Sequence, residues 1–356
     1  MRKTVKIGKT ELTGVMINLI CMKLFLTFPR QILSITGCAA WITSIYVTIL
    51  ALIGFLIINK VYRTDKTIIG IAEEVGGRAF KTITGIILFL VLLLNLCFTL
   101  RTFPESVRLI LLHNTPMNII VAVLCGTIAL GAICGIEALA RITSFFLPIF
   151  AVILFIFVLL LFPSFNVDNL TPVFGKGTKR IFFDGASGIT VFSDLIVLNT
   201  LHPFCKSRND ITSIGIKSVL YSGITMTIII FALELIYPSS LAESFIMPVY
   251  QLTRLVSVGD FFSRIEAFFE FIWSITMFLY TSVYIYALSN VWRDTFELKY
   301  YKPIVLSVII IATGIAYIPE SLETLMEMYT DIMLYIYIAA AALPVIYGII
   351  ERGKNR

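Results

Sequence analysis

The sequence predicts an all-α integral membrane protein of ten transmembrane helices, arranged as two inverted sets of five with helices 1 and 6 broken. Three observations predict it. Hydrophobic residues make up 58% of the 356-residue chain against 14% charged, and the mean hydropathy is +0.94. A soluble domain carries about a quarter charged residues, so this chain has too little polar surface to face water. Its apolar residues gather into ten runs, and Lys and Arg concentrate in the short segments between them, the pattern of loops between membrane spans. The first and sixth runs are interrupted by helix-breaking residues at matching places.

Crossing the hydrocarbon core takes about 20 residues of helix, because every backbone amide must pair internally. The runs place spans near 10–36, 39–59, 82–112, 117–136, 142–163, 181–203, 213–235, 261–289, 303–318 and 332–350. The basic residues Arg2, Lys3, Lys6 and Lys9 precede the first run, and no small-residue cleavage site follows, so an uncleaved first helix is expected. With the N-terminus in the cytoplasm, 19 of the 28 Lys and Arg fall on the cytoplasmic side and eight on the other. The remaining one, Lys23, lies inside the first span. The positive-inside rule therefore predicts both termini in the cytoplasm, and an even span count agrees. The net charge of +6 reads as topology and attraction to anionic lipid in the bilayer, with no nucleic-acid partner.

Within a single membrane domain, 1–356, the ten spans divide into five-helix halves at 10–163 and 181–351. Five is odd, so the second half inserts upside down. That is the arrangement of inverted-repeat secondary transporters, whose binding site lies near the midplane between two broken helices. The rule asks for breaks in spans 1 and 6. Span 1 holds Lys23-Leu24-Phe25-Leu26-Thr27-Phe28-Pro29, where Pro29 removes an amide donor; span 6 holds Gly185-Ala186-Ser187-Gly188, a poor helix propagator. Small residues that permit close packing would leave the same trace.

Polar stripes at helical spacing mark the faces turned to the interior. Span 3 has Asn95, Thr99, Thr102 and Ser106. Span 6 aligns Asp184, Ser187, Thr190 and Asp194. Span 8 has Glu266, Glu270, Ser274 and Thr281, with Trp273 beside them. A charge at membrane depth is costly, so each must find a partner. Lys23 is expected to pair with Glu270 or Asp194, either as a cation standing in for a coupling ion or as a structural ion pair. Glu234 is expected at the interface, and His202-Pro203 as the end of span 6. The cysteines Cys21, Cys38, Cys97, Cys125, Cys134 and Cys205 form no C-x-x-C pair, and with two histidines no metal site is expected. No nucleophile stands with a base, so neither catalytic residues nor a cofactor are expected.

Several short segments, in order, carry a resemblance. They are Lys6-Ile7-Gly8 leading into Glu11-Leu12, Phe28-Pro29-Arg30, Trp41-Ile42, and Ile69 to Gly77. After these come Asn169-Leu170-Thr171-Pro172-Val173-Phe174-Gly175-Lys176-Gly177, and Arg264-Ile265-Glu266-Ala267-Phe268 with Trp273. Through them the whole chain resembles the endospore germination permease family, the B subunits of spore germinant receptors, in the amino acid–polyamine–organocation (APC) transporter superfamily. The chain departs from the pattern at Ala39, where the family often has an acid, and at Lys23, Leu24 and Thr27, where related transporters break at glycines.

The resemblance implies a LeuT/APC-like fold in the inner membrane of the endospore. It also implies a small-molecule germinant, commonly an amino acid, bound between spans 1, 3, 6 and 8, with receptor A and C subunits as partners. An amino-acid permease using the same pocket is the alternative. The residues expected to bind are Leu24, Phe25 and Thr27 on span 1, facing Gly185, Ala186, Ser187 and Gly188 on span 6. Asn95 and Thr99 form a wall, Phe192 and Trp273 enclose the side chain, and Lys23, Asp194, Glu266 and Glu270 supply internal charge.

Overall fold

The computed structural model describes residues 7–26, 28–61, 66–205, 207–256 and 265–354. Among them no strand occurs, and the regular structure is helix throughout. All ten expected spans are present. Among the described residues eight helices are long and apolar enough to cross a membrane, and Lys302–Ala316 is a shorter apolar helix. The tenth, Lys9–Leu26, holds Lys9, Glu11 and Lys23 in 18 residues.

Span 1 is Lys9–Leu26 and then Phe28–Thr36, with Pro29 in the first turn of the second piece, where its missing N–H costs nothing. Thr27, between the two pieces in the sequence, lies outside the described residues. Span 2 is Ala40–Val61, joined to span 1 through a 3₁₀ turn at Gly37–Ala39, and Gly37 adopts φ 63°. The expectation for Glu234 needs correction. It is 1% exposed, and its carboxyl oxygens accept from the backbone N–H of Ala40 at 2.7 Å and of Trp41 at 3.2 Å. An acid from span 7 thus caps the start of span 2, where the helix dipole favours it and two backbone donors lack partners within their own helix.

Span 3 is the long part of Ile68–Ile110, which kinks at Gly77 (φ 71°, ψ −160°), a conformation that glycine tolerates. The turns before the kink bury Ile68, Ile71 and Ala72 against Tyr347 near the chain's C-terminal end. Lys81 just after it bonds Glu73 at 2.9 Å and Glu297 at 2.7 Å, tying spans 3 and 8 together. Spans 4 and 5 are Met117–Cys134 and Ile136–Leu161. Span 6 runs over Arg180–Phe204, span 7 over Arg208–Ile236 and span 8 over Ile265–Thr295. Span 9 is Lys302–Ala316, and span 10 lies within Leu322–Lys354.

Span 1 packs against spans 5, 6, 7 and 8, and span 3 against spans 4, 8, 9 and 10. The exterior carries a belt of exposed Ile, Leu, Val and Phe, including Ile49, Ile53, Leu90, Val123, Phe155 and Ile310. An apolar outside around a core with buried Asn, Lys, Asp and Glu is what a lipid solvent selects. The two ends of the bundle are marked by the chain. Ile7 N–H donates to the Phe204 carbonyl at 3.2 Å, so span 1 begins where span 6 ends, at what is here the amino-terminal face.

Candidate functional site

Spans 1 and 6 cross at the middle of the bundle, and the backbone of span 6 decides what meets there. It starts as a π turn over Arg180–Asp184 and continues as 3₁₀ helix through Gly185–Ile196, before one α segment, Val197–Leu201. A 3₁₀ run longer than 3–4 residues is uncommon and marks strain or a hinge. The break expected in span 6 thus takes the form of twelve residues wound at three per turn. That period sets Gly185, Gly188, Val191 and Asp194 in one row, all of them buried. Ser187, Thr190 and Ser193 form the next row.

The first row seats span 6. A methyl at Gly188 would lie 2.6 Å from Ile32 Cδ1, and one at Gly185 would lie 2.6 Å from Thr43 Cγ2. The two glycines therefore hold span 6 close against span 2 and the second piece of span 1. Ser187 bonds back to the Asp184 carbonyl at 2.7 Å, and Ala186 is half-buried.

Two turns beyond Gly188 is the charged centre. Lys23 Nζ stands 3.2 Å from Asp194 Oδ1, with side-chain exposures of 10% and 0%. The ammonium also donates to Ser193 Oγ at 2.5 Å and to the Thr190 carbonyl at 3.4 Å. Tyr284 of span 8 donates its hydroxyl to the same Asp194 oxygen, and its ring stacks on Tyr280 at 4.8 Å. The other Asp194 oxygen, Oδ2, is buried with no hydrogen-bond partner among the described residues. A buried ion pair holds only if further hydrogen bonds satisfy it. Here spans 1, 6 and 8 supply them, and the open Oδ2 leaves room for one more donor.

Span 3 joins through span 10. Tyr329 donates to Asn95 Oδ1 at 3.1 Å, and its ring stacks on Phe98 at 3.9 Å. Asn95 and Thr99 are buried but bond back to their own helix, Asn95 to the Val91 carbonyl and Thr99 to the Asn95 carbonyl, both at 3.1 Å. On the far side of the pair, away from the amino-terminal face, aromatic rings close the bundle. Phe25 meets Phe269 at 5.4 Å and Trp273 at 6.3 Å, and Phe103 meets Trp273 at 5.3 Å. On the near side a cavity between spans 2, 3, 6, 7 and 10 reaches the centre, lined by Asn59, Asn95, Ser193, Asn199, His202 and Met333.

The structure thus brings together Lys23, Asp194 and the Phe25–Trp273 contact, and settles the partner of Lys23 as Asp194. Leu24 and Phe192 are fully buried in the core. Gly185, Ala186, Ser187 and Gly188 lie nearer the far face than the pair, and Glu270 lies on span 8 without a partner for its Oε1. Thr27 is outside the described residues, as is the side chain of Glu266. Sequence reasoning missed Ser193, Tyr280, Tyr284 and Tyr329. The i, i+4 spacing of Tyr280 and Tyr284 was visible, but tyrosine in a membrane span reads as packing.

The family model described as spore germination protein matches residues 6–325. The chain is 27% identical to spore germination protein A2 of Bacillus subtilis (strain 168), covering 93% of this chain and 91% of that protein. It is 25% identical to spore germination protein YndE of the same organism, covering 99% and 98%. Among solved structures it is similar to Mhp1, a nucleobase-cation-symport-1 family transporter, in a closed conformation with bromovinylhydantoin bound. That match has a TM-score of 0.69 at 13% identity, over 93% of this chain and 78% of that one. The likeness shows the fold, a ten-helix inverted repeat of the APC type with broken helices 1 and 6. The match over nearly the whole chain places this multi-pass membrane protein in the endospore germination permease family, that of the germinant-receptor B subunits.

Proposed function

We propose that this chain is the germinant-sensing subunit of a spore germination receptor. A small nutrient, an amino acid in the first place, binds near the membrane midplane where spans 1 and 6 cross, and A and C partner subunits receive the signal. The chain lies in the inner membrane of the endospore with both termini in the cytoplasm, so the amino-terminal face is the cytoplasmic one. The observation that carries this reading is the Lys23–Asp194 pair with its open Oδ2, shared by spans 1, 6 and 8. The two halves, 10–163 and 181–351, each contribute one member, so a ligand that alters this contact alters how the halves sit. A nutrient signals only if it binds one arrangement better than the other.

Around this centre, Leu24 and Phe25 of span 1 and the Gly185–Gly188 turn of span 6 line the approach. Asn95 and Thr99 form one wall, and Phe192 and Trp273 enclose the ligand's side chain. Spores carrying Asp194→Asn or Gly188→Leu, challenged with a panel of amino acids, test the reading through loss of refractility. We expect one nutrient response to disappear while blotting shows normal protein in the membrane. An intact response in both variants would sink it.

The cavity that reaches Ser193 from the amino-terminal face favours a second reading, an amino-acid permease with the same pocket. Uptake of labelled amino acid by vesicles holding the chain alone separates the two, since a pure sensor accumulates none.

A further inference from the structure

Two of the buried polar groups of span 8 that find no hydrogen-bond partner among the described residues lie one turn apart. Glu270 is 1% exposed and its Oε1 has no hydrogen-bond partner; Trp273, one turn on and 2% exposed, has an unpaired Nε1–H. Lys23, the cation nearest in the sequence pattern, is committed to Asp194 at 3.2 Å. Among the described residues Glu270 has no ion-pair partner at all. The indole is set among rings, and Glu270 lies one turn before it on the same span. Phe269 and Trp273 of the same two turns meet Phe25 at 5.4 and 6.3 Å, and Trp273 meets Phe103 at 5.3 Å.

A carboxylate among aromatic rings is the chemistry that recognises an ammonium group. The acid supplies the countercharge in a charge-assisted hydrogen bond, and the ring faces add cation–π attraction once water is excluded. The crossing below cannot do this alone, because Lys23 and Asp194 cancel each other's charge. We propose that Glu270, with Phe25, Phe103, Phe269 and Trp273, forms the subsite for the ammonium of an amine-bearing ligand, beside the Lys23–Asp194 pair on its far side. The inference rests on the reading that a small ligand binds near the midplane. Phe25 lies two residues beyond Lys23, about 3 Å of helix rise, on a different face of span 1. The Trp273 N–H is then free to donate to an acceptor on the same molecule, such as the carboxylate of an amino acid.

The test uses the full-length chain in lipid nanodiscs with Trp41→Phe and Trp292→Phe, so that emission reports on Trp273. The twenty protein amino acids are titrated, followed by the 2-hydroxy-acid counterpart of each one that binds. A saturable shift with an amino acid, and binding at least tenfold weaker for its hydroxy acid, is the expected result. The isosteric Glu270→Gln is expected to lose the same factor and to abolish the difference between the two ligands. Glu270→Asp is expected to keep the preference for the amine, as is Trp273→Phe read by calorimetry. Equal binding of amine and hydroxy acid by the wild type, or an amine preference that survives Glu270→Gln, overturns the subsite and leaves midplane binding standing. Binding of none of the twenty, by emission or by calorimetry, overturns the midplane reading and the subsite with it.

Discussion

At the residue scale, the centre of the molecule is one ion pair that lipid-buried physics makes asymmetric. Removing either member leaves an uncompensated buried charge, which costs about 3–5 kcal/mol, whereas replacing both with apolar groups is often neutral. Lys23→Met and Asp194→Leu are therefore each expected to lower the thermal unfolding midpoint in nanodiscs, and the double variant to recover most of the loss. Two additive losses would show that the pair does not act as a unit. Lys23 was legible in the sequence because a cation inside an apolar run has no innocent explanation. Its partner was legible only as a choice between Asp194 and Glu270, since sequence spacing gives the face of a helix and not which helix lies opposite. Ser193 was hidden by the assumption of α periodicity in span 6, which carries the stripe from Ser187 and Thr190 on to Asp194; at three residues per turn the row runs on to Ser193, and Ser193 and Asp194 both reach Lys23.

At the element scale, span 6 shows how two glycines set a backbone. Gly188 approaches Ile32 so closely that any side chain must displace it. Gly188→Ala is expected to cost about 1–3 kcal/mol by overpacking, and Ile32→Ala in the same chain to relieve part of it. Stability of the single and double variants by thermal unfolding decides this, and no relief would contradict the contact. The sequence signalled a weak helix at Gly185–Gly188, but not that it would be wound more tightly, because propensity states where an α-helix is poor and not what replaces it. Glu234 teaches the same lesson from the other direction. Placed near a span end, it read as interfacial, yet a cap supplied by another helix needs a tertiary contact that no local pattern encodes.

At the scale of the whole molecule, the span count and the membrane character were legible because they follow from composition and the placement of charge. The clasp at the amino-terminal face was not, since Glu297 is distant in sequence from Lys81 and Glu73, and those two meet across the Gly77 kink. The Lys81 ammonium holds the exposed Glu297 carboxyl below its usual range. A carboxyl depressed in this way contributes stability above the ordinary carboxylate range, and that contribution is lost as pH falls through the lowered value. Wild-type chain is therefore expected to lose more of its unfolding midpoint on acidification than Glu297→Gln does. Equal losses would remove Glu297 from the clasp. The effect is screened by salt and small, as suits an exposed pair.

The measurement that bears most directly on the central claim is protection of a cysteine placed at the crossing. The six native cysteines are replaced, Ser193→Cys is introduced, and a small thiol reagent is applied to the chain assembled with its partners in membranes. The nutrient that germinates wild-type spores is expected to slow labelling at least tenfold at saturation, while a non-germinating amino acid leaves the rate unchanged. An unchanged rate at saturating nutrient, in membranes whose wild-type counterpart responds, would place the ligand elsewhere and contradict the account.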